Sequence, residues 1–95
     1  MVNNEDLPDN FSALSIQPNP FSSSINLSLT LDKSNEVAYE LFNLQGQRLF
    51  GKSLGQLNSG ETTINITNLT PWPAGVYFLK IRSGNEFVVR KVVKF

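Results

Sequence analysis

Between Ser24 and Leu31 the chain alternates without a fault: Ile25, Leu27, Leu29 and Leu31 are apolar, and Ser24, Asn26, Ser28 and Thr30 are polar. A period of two fits an extended strand, because successive side chains leave a strand on opposite faces. One face is buried and the other wet, as in an antiparallel sheet packed on one side only. The rhythm recurs along the chain, broken every ~8–12 residues by turn formers, and that spacing belongs to sandwiches and barrels.

Strands are expected over Leu14–Gln17, Ser24–Leu31, Glu36–Asn43, Arg48–Leu54, Glu61–Thr67, Val76–Arg82 and Phe87–Phe95. Their separators are Pro18-Asn19-Pro20, Asp32–Asn35, Gln45-Gly46, Gly55–Gly60, the Asn68–Gly75 loop with Pro71, Trp72 and Pro73, and Ser83–Glu86. Pro18 and Pro20 cannot donate to a ladder, so they fix an extended bend, while Gly46 and Gly75 relieve backbone strain. Tyr77, Leu79 and Ile81 share the inward face of their strand. No segment carries three turns of a helical apolar stripe. The expected fold is all-β, an Ig-like β-sandwich of about seven antiparallel strands.

A chain of 95 residues holds one domain and one core. No apolar run approaches the ~18 residues of a membrane span, and the start does not read as a secretory signal peptide. Residues 1–12 are polar and acidic and read as a linker or disordered lead-in, which leaves 13–95 as the domain.

Cysteine and histidine are absent, which removes disulfides, thiolate nucleophiles, imidazole bases and the usual zinc ligands together. The remaining acids offer little. Glu40 and Glu61 are the pair to consider, and a meeting across strands would be needed for paired-carboxylate chemistry. Asn3, Asn4, Glu5, Asp6 and Asp9 supply hard oxygens but not at the spacing of a calcium loop. The sequons at Asn10, Asn26, Asn65 and Asn68 carry little weight in a chain so rich in Asn, Ser and Thr. No catalytic residue, metal site or cofactor is expected.

Net charge is zero but unevenly spread. Residues 1–40 hold six acids and one base, and residues 41–95 hold seven bases and two acids. The last hairpin gathers Lys80, Arg82, Arg90, Lys91 and Lys94 against Glu86. Such a basic face would steer a charged partner, and an open strand edge beside it would give affinity by strand addition. A solvated face that keeps an edge from aggregating explains the same charges.

Several segments taken in order resemble a known family. They are Ile16-Gln17-Pro18-Asn19-Pro20-Phe21, Leu41-Phe42-Asn43-Leu44-Gln45-Gly46-Gln47-Arg48-Leu49, Pro73-Ala74-Gly75-Val76-Tyr77-Phe78-Leu79-Lys80-Ile81 and Arg90-Lys91-Val92-Val93-Lys94-Phe95. From about Leu14 to Phe95 the chain resembles the C-terminal sorting domain of the type IX secretion system of Bacteroidota. Thr70-Pro71-Trp72 departs from it by lengthening the approach to Pro73.

The resemblance implies a non-catalytic signal in folded form that directs an N-terminal cargo through an outer-membrane translocon, for release or surface attachment. It implies type IX outer-membrane components as partners, a sortase-like peptidase cutting within or just before residues 1–12, and a secreted or cell-surface destination reached through the periplasm. Neither nucleic acid nor a membrane span is expected. Lys80, Arg82, Arg90, Lys91, Val92, Val93, Lys94 and Phe95 are the candidate recognition residues, and deleting Arg90–Phe95 is expected to stop export. Pro18, Asn19, Pro20, Gly46, Pro73, Ala74, Gly75 and Tyr77 are structural. A carbohydrate-binding or adhesive module, with Trp72 as an exposed platform, is the alternative reading.

Overall fold

A computed structural model describes residues 7–95 and folds them into seven strands. In chain order these are β1 (Phe11–Gln17), β2 (Ile25–Leu31), β3 (Asn35–Asn43), β4 (Arg48–Leu57), β5 (Gly60–Ile66), β6 (Gly75–Ser83) and β7 (Glu86–Lys94). One sheet runs β1-β2-β5 and the other β4-β3-β6-β7. Every pairing between these strands is antiparallel, so the expected sandwich is what the chain forms.

The alternating runs make the core. Ile25, Leu27, Leu29 and Leu31 of β2 are buried together with Val37, Tyr39 and Leu41 of β3 and Tyr77, Leu79 and Ile81 of β6. From β7 it is Val88 and Val92 that turn inward, and Phe87 and Val89 face solvent. Burial pushes the Tyr39 phenol above its ordinary pKa, because the phenolate would lose its hydration there.

The four residues Asn3, Asn4, Glu5 and Asp6, offered as calcium ligands, lie outside the described residues. Two local departures have physical causes. β1 starts at Phe11, not Leu14: Phe11 is buried, but Ser12 is an extra residue between the pairs Phe11–Leu31 and Ala13–Thr30. Such a bulge breaks the period of two and hides the strand start from a pattern reading. β4 runs through Leu57 rather than stopping at Leu54. Gly55, at φ 72°, is not a turn residue but part of a second bulge, since Val37 pairs with Gly55 and Ala38 with Ser53.

At the end of the sandwich where β7 begins, Asn10 closes the gap between the sheets. Its backbone N–H donates to Glu86 Oε1 (3.1 Å), its amide donates to Ser83 Oγ (3.1 Å), and Lys33 N–H donates to its Oδ1 (2.8 Å). Composition had grouped this residue with the lead-in. Glu40 and Glu61 do not meet: Glu40 is on β3 of one sheet, Glu61 on β5 of the other, and both lie on strand positions facing away from the core. Paired-carboxylate chemistry between those two is excluded by the topology.

Candidate functional site

The opposite end of the sandwich brings four distant segments together. The first is Pro18–Phe21. Phe21 is completely buried (0% exposed), and its backbone lies beside β7 as a parallel bridge to Lys94. Its N–H donates to Val93 O (2.8 Å), and Phe95 N–H donates to Phe21 O (3.0 Å). Two residues earlier the Asn19 side chain does the same job one step along. Val93 N–H donates to Asn19 Oδ1 (2.9 Å) and Asn19 Nδ2 donates to Lys91 O (3.3 Å). The side-chain amide thus pairs with the strand as a backbone amide would. The Gln17–Pro18 and Asn19–Pro20 peptide bonds are cis.

This closes the tail half of the strand edge that was expected to be open along the last hairpin. From Lys91 to Phe95 the outer edge of β7 is closed by Asn19 and Phe21, and unpaired polar groups of an edge strand are the template for adding another strand. Further up the strand, Val89 O accepts from Arg90 Nη1 (3.2 Å). Asn19→Ala removes both side-chain hydrogen bonds. The expected result is a loss of about 1 kcal/mol in global stability, with faster amide hydrogen exchange concentrated at Val93. Unchanged protection of Val93 would show that Asn19 does not hold the tail.

The second segment is the β3–β4 turn, built by Asn43. Its Oδ1 accepts from the N–H groups of Gln45 (3.0 Å) and Gln47 (2.9 Å), and its Nδ2 donates to Gln47 Oε1 (2.7 Å). Gly46 completes the reversal at φ 86°, a conformation that costs a residue with a Cβ. With the backbone satisfied by Asn43, Leu44 is left pointing outward, 63% exposed. Leu49 is exposed beside it because it is the extra residue of the other β4 bulge, between the pairs Leu41–Phe50 and Phe42–Arg48.

The third segment is Pro73-Ala74-Gly75 at the start of β6. Gly75 sits at φ 148°, a region essentially confined to glycine, and directly opposite Lys94 in the register. The Tyr77 hydroxyl donates to Pro73 O and fixes the loop to the strand that follows it. The Tyr77 ring lies between the other two aromatics, with centroids 5.2 Å from Trp72 and 6.2 Å from Phe21. Trp72 is therefore half-buried against Tyr77 and the core, and loop anchoring rather than an open stacking platform accounts for it.

The register shows why these segments are neighbours. Tyr77 pairs with Asn43 on one side and Val92 on the other, so the turn and the tail flank the start of β6. Asn43, Leu44 and Leu49 line one wall of a groove of about 390 Å³, and Pro73, Gly75 and Tyr77 line the facing wall. Phe95 lies across β6 from that groove, 74% exposed.

The five cations of the last hairpin do not share a face, which corrects the expected basic face. Lys80 and Arg82 of β6 and Lys91 of β7 lie on the outer side of the four-stranded sheet. Arg90 and Lys94 take the inward positions of β7 with Val88 and Val92, and Lys94 is only 8% exposed. Of the eight recognition candidates, Val92 and Lys94 are buried, Lys80, Arg90 and Val93 are partly covered, and Lys91, Arg82 and Phe95 are open to a partner. Asn43 was missed as a turn organiser, although an Asn followed by Gly three residues on is a legible turn signal.

The motif segments thus converge at one end of an all-β sandwich. A family model described as the secretion system C-terminal sorting domain matches residues 15–94, and the chain belongs to that family. It is a C-terminal sorting signal of type IX secretion. Membership implies interaction with that secretion system, an N-terminal cargo, and secretion or export to the cell surface. No curated protein matches the chain. Among the described residues no helix is long and apolar enough to cross a membrane.

Proposed function

We propose that the secretion apparatus reads the folded end of the sandwich, with Leu44, the Pro73–Gly75 groove and Phe95 as the contact surface. The observation that carries this is the latch: Asn19 and Phe21 hold Val93 and Phe95 in place at the end where the other motif segments meet. A signal shared by different cargoes needs such an autonomous surface. On this reading Val92 and Lys94 act by shaping the tail from inside, and Lys80, Arg82 and Lys91 steer the encounter from the outer face. Pro18, Pro20, Gly46 and Ala74 set the backbone on which the surface is displayed.

The finer assignments extend the same reading. The chain ahead of Asn10 leads into the sorting domain, since Asn10 and Phe11 already belong to the sandwich, and a sortase-like peptidase cuts the cargo free in or before that lead-in. The cargo crosses the inner membrane by its own signal and meets the translocon from the periplasm. The domain itself performs no catalysis, and it works without a cofactor.

A reporter carrying an inner-membrane export signal and fused ahead of residues 1–95 tests this in a bacterium with type IX secretion. The reporter is expected in the medium or on the surface, and in the periplasm of a translocon mutant. Periplasmic retention in both strains would overturn the assignment.

A further inference from the structure

The outer face of the four-stranded sheet carries a second feature, apart from the C-terminal end. Read across β4-β3-β6-β7, the register sets Ser53, Ala38, Arg82 and Phe87 in one row, and Gly51, Glu40, Lys80 and Val89 in the next. The following row is Arg48, Phe42, Phe78 and Lys91. Small residues therefore fill the β3–β4 side while long cations stand around them. The result is a shallow depression of about 190 Å³ with Ala38, Gly51 and Ser53 in its floor and Arg48, Lys80 and Arg82 at its rim.

One carboxylate answers these three cations. Glu40 accepts from Arg48 Nε at 2.8 Å and lies 3.9 Å from Arg82 Nη2. No other ion pair occurs among the described residues, so the rim keeps an excess of positive charge. Two details hold the cations in place. A Cβ on Gly51 would overlap the Arg48 guanidinium, so glycine is what lets Arg48 lie flat across β4 towards Glu40. Lys80 Nζ sits 4.5 Å from the centre of the Phe87 ring, a cation–π contact that keeps the ammonium over the sheet. Phe87 and Val89, both exposed, give the rim an apolar flank.

We infer that this depression docks an acidic polypeptide segment of a partner, one that carries carboxylates at one end and apolar side chains at the other. The carboxylates would take the charge that Glu40 leaves uncompensated, and the apolar side chains would cover Phe87 and Val89. Charge complementarity selects this occupant, and the apolar flank favours a polypeptide over a polyanion lacking such side chains. The inference rests on the sorting reading only for where the partner acts. Binding is measured without a secretion system, so either can fail alone.

The probe is a peptide of about four glutamates followed by about four valines, which in extended form crosses four strands spaced ~4.8 Å apart. Added to the 95-residue chain in an amide NMR titration, it is expected to shift Ala38, Gly51 and Ser53 first. Affinity is expected to fall at least about tenfold between ~0.02 and ~0.5 M salt. It is expected to fall by a similar factor in Lys80→Glu/Arg82→Glu, with the thermal midpoint within a few degrees of wild type. Glu40→Gln removes the internal competitor and is expected to tighten binding about threefold, an outcome that a purely structural ion pair would not give. Equal binding of a serine–valine peptide would overturn the inference, as would shifts confined to the C-terminal end. So would a preference for phosphatidylglycerol vesicles or a sulfated polysaccharide, or the same shifts on raising protein concentration alone, which would mean a second copy. The salt titration uses the wild-type chain and decides the matter even if the double variant folds poorly.

Discussion

Phe21→Ala is expected to lower the stability of the domain by about 3–5 kcal/mol, the usual cost of emptying a phenylalanine site in a core. Phe21 has no exposed surface and its ring lies against Tyr77, so the space it leaves is enclosed. The surrounding segments are tied by backbone bonds to Val93 and Phe95 and resist collapsing into it. Against a total of about 5–15 kcal/mol for a domain, the loss is about a fifth or more. Urea unfolding should therefore show a lower midpoint with an unchanged slope. A loss under about 1 kcal/mol would mean that the end of the sandwich does not depend on the plug. Leu7, half-buried at the edge of the core, offers a contrast: truncating it leaves a site open to solvent and should cost much less.

The same contacts change how the tail can be probed. Deleting Arg90–Phe95 removes Val92 from the core, the partners of Phe21 and Asn19, and most of the pairing along the first half of β6. Such a deletion unfolds the signal as well as removing its surface, so loss of export would not separate the two. Variants that leave the latch intact are needed.

Much of the fold was legible because β2, β3 and β6 obey the period of two, and their inward residues are the core. β4 was less so. Two bulges shift its parity, and a glycine inside it resembles a turn until its partner Val37 is known. The site was legible in its pieces but not in its assembly. Asn19 reads as a polar residue between prolines; its hydrogen-bond partners lie 72 and 74 residues further on, a separation that no local pattern reports. The division of the basic residues did leave a trace. Arg90 and Lys91 are adjacent on one strand, and adjacent strand residues point to opposite faces. The depression around Glu40 left none, because it depends on which residues of four strands share a row.

The second large effect is expected from Leu44→Asp/Phe95→Asp. Both side chains are exposed at the end of the sandwich and neither belongs to the buried core, so the double variant should unfold within a few degrees of wild type. Phe95 N–H still donates to Phe21 O, and the Asn43 turn keeps its hydrogen bonds, since none of them uses either side chain. What changes is the surface. Two charged groups replace two apolar ones where a partner would bury them, and a buried unpaired charge costs far more than a lost apolar contact. Export is expected to fall at least about tenfold, which corresponds to 1.4 kcal/mol of recognition free energy or more.

The decisive measurement is the fraction of a reporter–domain fusion found outside the cell, compared for wild type and Leu44→Asp/Phe95→Asp at matched thermal stability. If the folded end is the address, the wild-type fusion is exported and the variant accumulates in the periplasm although its domain is folded. Export of the folded variant at the wild-type level would contradict that claim and place the signal elsewhere on the sandwich.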